Sequence, residues 1–133
     1  MSESVLLNVT YMLMAQDPGR AQRFYREGLG ADVTWAADDG SWTVMKLGER
    51  EVCLHGNGDG GPVDTGLAIS VEDLEQACAA IERAGGTVLR PEKGDVGRWL
   101  AVVTDTEGNR FCVVHRDGCF LHPSLFPAET VKA

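Results

Sequence analysis

Apolar and polar positions along this chain repeat one order of elements: strand, helix, then three short strands, first over residues 5–56 and again over 65–116. Residues 5–15 are rich in β-branched and apolar side chains and predict a strand. The strand gives way at Gln16-Asp17-Pro18, where Asp17 suits an N-cap and Pro18 the first helical turn. Ala21, Phe24 and Tyr25 then recur at helical spacing, and Gly28-Leu29-Gly30 stops the helix, which assigns both aromatics to the core. Strands are expected near 32–36, 41–47 and 51–55, separated by the turn signals Asp38-Asp39-Gly40 and Gly48-Glu49. The glycine-rich stretch 56–62 cannot hold regular structure cheaply, so residues 57–64 read as the linker between two halves.

The second half repeats the order. A strand over 65–71 leads into a capping-box pattern at Ser70 and Asp73, and Leu74, Ala77, Cys78 and Ile81 form the apolar stripe of a helix that ends at Gly85-Gly86. On that stripe Cys78 reads as a small core hydrophobe. Strands near 87–90, 98–104 and 110–116 complete the copy, the last two joined through Asp105-Thr106-Glu107-Gly108-Asn109. The tail 117–133 carries Phe120, Leu121, Leu125 and Phe126 interrupted by Pro123 and Pro127, and is expected to pack across a protomer or a partner. The fold class is therefore α+β: two βαβββ modules, 5–56 and 65–116, forming curved mixed sheets around a cleft within one unit, 1–133.

Charge and composition narrow the partners. The formal net charge is −8, and no stripe of Lys and Arg could neutralise a phosphate backbone, so nucleic acid is not expected. No apolar run approaches the about 20 residues that span a bilayer, and no leader pattern is seen, so a soluble cytoplasmic protein with no membrane partner is expected. Four cysteines, Cys53, Cys78, Cys112 and Cys119, lack CxxC spacing, which argues against a zinc knuckle and against a dense disulfide framework.

Three segments together carry a family resemblance: Asp17 with Phe24-Tyr25-Arg26-Glu27-Gly28-Leu29-Gly30, then Gly66-Leu67-Ala68-Ile69-Ser70-Val71, then Asp105-Thr106-Glu107-Gly108-Asn109-Arg110-Phe111. To about residue 116 the chain resembles the vicinal oxygen chelate superfamily, which holds glyoxalase I, extradiol dioxygenases, fosfomycin-modifying enzymes and bleomycin-binding resistance proteins. Fold does not fix function on such a scaffold. The resemblance implies that metal-dependent members place one ligand in the first and fourth strand of each module. Those positions match Thr10, Cys53, Gly66 and Cys112 here. None is a histidine or carboxylate, so no resident metal and no other cofactor is expected, and chemistry that needs a Lewis acid loses it. Two readings of Cys53 and Cys112 stay open: a soft-metal or redox pair helped by His55 on the same strand face, or two small polarisable residues lining an apolar cleft. A cytoplasmic location argues against a disulfide between them.

Strand parity gives the cleft wall, because residues two apart share a face. A two-residue turn at Gly48-Glu49 pairs Leu47 with Arg50, Val44 with Cys53 and Trp42 with His55, and a four-residue turn over 37–40 sets Trp35 opposite Trp42. A four-residue turn over 106–109 pairs Val103 with Cys112, Ala101 with Val114 and Trp99 with Arg116. The predicted ligand-binding set is then Asn8, Thr10, Met12, Trp35, Trp42, Val44, Cys53, His55, Gly66, Ala68, Trp99, Ala101, Val103 and Cys112, with no catalytic and no metal-binding residue. Packing of a sheet on a helix explains any one tryptophan alone; three on one predicted face favour a platform for a planar aromatic ligand. No carboxylate or nucleophile stands at a spacing that would orient His55, which reads as a hydrogen-bonding residue at the pocket edge. His115 faces away from the cleft by parity, and His122 lies in the tail.

The resemblance further implies a homodimer, each cleft built from the first module of one chain and the second of the other. The expected function is a metal-independent small-molecule-binding protein that confers resistance by sequestering an aromatic or peptide antibiotic of bleomycin-like, anthraquinone or enediyne type. The negative charge favours cationic drugs through long-range attraction. The alternative is a glyoxalase- or dioxygenase-like lyase or isomerase with an atypical site.

Overall fold

Helix placement follows from the caps. In the computed structural model, which describes residues 5–91 and 99–116, Asp17 adopts an extended backbone and its carboxylate accepts the Arg20 N–H at 3.1 Å, opening α1 (Pro18–Leu29). Gly30 closes it in the left-handed conformation, φ 69°. The second helix, α2 (Leu74–Arg83), starts one position before the leucine stripe, at Asp73, whose carboxylate accepts the Gln76 N–H at 3.0 Å. Ser70 is no cap: it belongs to the preceding strand, so the capping-box reading is corrected by three residues.

The strands are β1 (Tyr11–Met14), β2 (Asp32–Ala36), β3 (Trp42–Leu47) and β4 (Arg50–His55) in one sheet, ordered β1-β4-β3-β2, and β5 (Val63–Val71), β6 (Thr87–Leu89), β7 (Leu100–Thr104) and β8 (Asn109–His115) in the other, ordered β5-β8-β7-β6. In each sheet the first strand runs parallel to the fourth and the remaining pairs are antiparallel. Two differences from the sequence reading concern length. β5 begins at Val63, inside the expected linker, because the Val63 N–H reaches the Gly108 carbonyl at 2.9 Å. β1 covers only the end of the expected 5–15 strand, since among the described residues its one sheet partner is β4, beginning at Arg50, and Tyr11 already lies opposite Val52. Residues 5–10 run on ahead of the sheet with Val5, Leu7 and Val9 exposed. The tail 117–133, with Cys119 and His122, lies outside the described residues, as does Arg98.

α1 covers one side of the first sheet and α2 one side of the second, and the two helices pack on each other. Ala21, Phe24 and Tyr25 from α1 and Leu74, Cys78 and Ile81 from α2 share a core with Leu13, Met45 and Leu54 of the first sheet and Val103, Phe111 and Val113 of the second. The rings of Phe24 and Tyr25 meet edge to face at 4.9 Å.

A buried polar cluster pins the halves together. The Tyr25 hydroxyl donates to Asp105 Oδ2 at 2.5 Å, and Asp105 also accepts the backbone N–H groups of Glu107 and Asn109. The Asn109 amide donates to the Met14 carbonyl at 2.7 Å, tying the β7–β8 turn of the second half to β1 of the first. Burial and the adjacent Asp105 charge push the Tyr25 phenol well above its usual range, so it stays a hydrogen-bond donor at neutral pH. The Asp105-Thr106-Glu107-Gly108-Asn109 segment is thus structural.

Candidate ligand-binding site

Because the helices cover one side of each sheet, the opposite side is left open, and its chemistry is set by which residues share a transverse row. On the first sheet one row reads Met12, Cys53, Val44, Trp35 across β1, β4, β3 and β2. On the second, the row at the corresponding place reads Ala68, Cys112, Val102, Leu89 across β5, β8, β7 and β6.

In the first half, Leu47 opposes Arg50, Val44 opposes Cys53 and Trp42 opposes His55, as the two-residue turn requires. Trp35 lies opposite Val44, not Trp42, because the loop closes as Ala37 N–H to the Trp42 carbonyl at 2.8 Å. It nevertheless faces the open side. Val33 pairs with Met45 and points to the core, so Trp35, two residues on, would follow it there; an irregularity at Thr34 adds one residue and turns the indole outward, leaving it 54% exposed.

In the second half the register differs by one residue. Asp105 N–H bonds the Asn109 carbonyl at 2.9 Å, closing a three-residue loop with Gly108 at φ 89°, and Cys112 therefore opposes Val102. A one-residue shift exchanges the faces. Ala101 and Val103 are fully buried in the core, and Val102 and Thr104 take the places expected for them on the open side. Trp99 leaves the cleft wall too. Its ring packs edge-on against His115 at 5.8 Å, and His115 alternates to the face opposite Cys112.

The other expected residues are distributed as follows. Asn8 and Thr10 precede β1 and are exposed; Met12 is 45% exposed in its row. Trp42 and His55 meet edge to face at 5.0 Å, and His55 Nδ1 is buried without a hydrogen-bond partner. Gly66 sits at a break in the β5–β8 ladder with φ 75°, a backbone conformation that side-chain-bearing residues rarely adopt. Ala68 and Cys112 lie beside it on the floor of a concave cavity of about 910 Å³, with Asp64, Arg110, Thr104, Thr87, Val102 and Leu89 around them. That volume falls in the range of ligand sites. Every residue lining the cavity belongs to the second half, so within one chain the first-half members of the expected set do not join Gly66, Ala68 and Cys112. Arg110, Thr104 and Thr87 were missed by the sequence reading. For Thr104 the signal lay in Gly108, since a glycine in the left-handed region marks a three-residue loop, and for Arg110 it lay in the two-residue spacing to Cys112.

The residues present do not suit the metal that related folds hold. Thr10, Cys53, Gly66 and Cys112 offer no carboxylate or imidazole, and among the described residues no group of three or more His, Cys, Asp or Glu converges. Burial pushes both cleft thiols up from the usual cysteine value, with the Glu51 charge adding to the effect at Cys53. Both remain protonated at neutral pH.

The glyoxalase-like domain family matches the chain over residues 9–114. The chain belongs to that family. Solved structures share with this glyoxalase-like protein the glyoxalase/bleomycin resistance fold. A gene product from Arabidopsis thaliana superposes with a TM-score of 0.70 at 20% identity, over 83% of this chain and 99% of that one. The antibiotic-binding protein TnmS3 from a Streptomyces species gives 0.64 at 21%, over 85% and 98%. The fosfomycin resistance protein FosX from Mesorhizobium loti gives 0.67 at 13%, over 84% and 92%. At these identities the likeness is one of fold. No curated protein matches the glyoxalase-like chain. Among the described residues no helix is long and apolar enough to cross a membrane.

Proposed function

We propose that this protein is a metal-independent small-molecule-binding protein that confers resistance by sequestering an aromatic or peptide antibiotic. The observation that carries the reading is the cavity over the second sheet, whose floor at the former ligand positions is Gly66 and Cys112 with apolar Ala68, Val102 and Leu89 beside them. Such a surface grips by apolar burial, and among the described residues no group of His, Cys, Asp or Glu converges there to hold a metal. The raised thiols weigh against cysteine nucleophilic chemistry. The fold shared with TnmS3, an antibiotic-binding protein, supports the same reading.

A homodimer completes the site. Met12 and Trp35 at 45% and 54% exposure on the first sheet, and Leu89 at 66% on the second, leave each open face half a cleft. Facing the first sheet of one copy with the second sheet of another encloses the cavity twice, under one twofold axis. Light scattering at micromolar concentration gives twice the chain mass on this reading; a monomer at every concentration tested rejects the assembly.

The deciding experiment titrates the protein with anthraquinone, enediyne and bleomycin-type antibiotics and measures the mass of each compound after incubation. Saturable binding of at least one, recovered unchanged, is expected. A chemically altered compound makes the protein an enzyme and overturns sequestration.

A further inference from the structure

The open face of the second sheet is divided into two rows of opposite character. Asp64, Arg110, Thr104 and Thr87 stand opposite one another across β5, β8, β7 and β6 and form a polar row. Ala68, Cys112, Val102 and Leu89 form the apolar row two residues further along each of β8, β7 and β6. The rows are therefore about 7 Å apart. Both line the same cavity, and among the described residues Asp64 and Arg110 are its only charged lining residues.

Arg110 is the donor of that row. Its Nη1 contacts Asp64 Oδ1 at 3.2 Å, with both side chains well exposed. A pair so exposed is weak and holds the guanidinium loosely. This contact engages one N–H of the five that a guanidinium carries in a fixed fork, a geometry that matches carboxylate, sulfonate or paired carbonyl oxygens. The Thr104 and Thr87 hydroxyls extend the same polar edge.

Resting on the binding function proposed above, we propose that Arg110 is the specificity-determining anchor of this cavity and selects ligands with an apolar planar body and an anionic or strongly accepting oxygen group about 7 Å from its centre. The preference runs against the field of the whole molecule. A formal net charge of −8 by itself repels an anion, so selectivity for an anion over its neutral twin must come from a local donor.

The test uses two fluorescent probes with the same aromatic body, 1-anilinonaphthalene-8-sulfonate and the neutral N-phenyl-1-naphthylamine, with wild type, Arg110→Met and Asp64→Asn. Wild type is expected to bind the sulfonate about tenfold more tightly than the neutral probe, as for one charge-assisted contact. Arg110→Met brings the ratio to about one, and Asp64→Asn, which removes the competing carboxylate, raises it several-fold. Thermal midpoints of the variants confirm that both are folded. Binding of both probes with no sulfonate preference, or a preference that survives Arg110→Met or is unmoved by Asp64→Asn, overturns the anchor and leaves the cavity standing. Failure of wild type to bind either probe removes the binding reading itself.

Discussion

Arg20 and Glu107 stand 87 residues apart in sequence and meet at 2.7 Å, guanidinium Nε to carboxylate Oε2. The same carboxylate accepts the Asp17 N–H at 2.8 Å and the Thr106 hydroxyl at 2.7 Å, so the turn of the second half caps the first helix of the first. Burial pushes the Glu107 carboxyl up, but the Arg20 hydrogen bond, the Asp17 N–H, the Thr106 hydroxyl and the Arg20 charge together hold it below its ordinary value. The folded form therefore releases this proton more readily than the unfolded chain. Its contribution to stability is complete above a pH of about 4.3, the unfolded value, and is lost as pH falls through the lowered folded value. Glu107→Gln is expected to lower the thermal midpoint at neutral pH by about 5 °C and to flatten the loss of stability on acidification. Thermal melts from pH 7 down to pH 3 check both.

Gly108 cannot carry a side chain. A Cβ there lies 2.5 Å from the Gly61 carbonyl oxygen and 2.6 Å from that of Gly60, in a left-handed backbone. Gly40 has a similar φ with nothing within 4 Å. Gly108→Ala is expected to cost about 3 kcal/mol or more, and Gly40→Ala about 1 kcal/mol, the conformational part alone. Urea unfolding of the two variants gives the comparison; equal losses would mean that the loop gives way freely.

Thiol reactivity follows from burial. Cys53 is only 4% exposed and Cys112 is half-buried, and both thiols are raised by desolvation. Alkylation by iodoacetamide at pH 7.5, followed peptide by peptide, is expected to be slower at both than at a free cysteine by about tenfold. Cys53→Ser and Cys112→Ser are expected to keep aromatic-ligand affinity within about threefold. A loss of all binding on either change would return the thiols to the chemistry.

The tryptophans separate into two classes. Trp35→Ala or Trp42→Ala is expected to weaken an aromatic ligand by about 1–3 kcal/mol, since both indoles lie on the open side of the first sheet. Trp99→Ala, against His115 on the other side, is expected to change thermal stability and leave affinity within about twofold. Calorimetric titration of the three variants distinguishes them.

Strand and helix order was legible because the punctuation is strong: Asp17-Pro18 and Gly30 bracket α1, and Gly48-Glu49 permits one hairpin register. The register of the second hairpin was not, because Asp105 to Asn109 can be read as a loop of three or of four residues. The choice rests on tertiary bonds, from Asn109 to the Met14 carbonyl and from the Val63 N–H to Gly108. That one residue moved Ala101, Val103 and Trp99 off the open face and brought Val102 and Thr104 forward, whereas Arg110 shares the face of Cys112 in either register. Residues 5–10 look like strand in composition, yet the ladder with β4 begins only at Tyr11, and composition does not report pairing.

The inserted residue at Thr34 makes the outward placement of Trp35 depend on chain length, independent of side-chain identity. Point substitution in β2 can change what is displayed there, but only a deletion can take it away, by folding an indole into the layer that Val33 occupies. Variation by insertion and deletion in this strand thus recodes the aromatic surface in a single step, while the helix-facing layer before the insertion keeps its register with Met45.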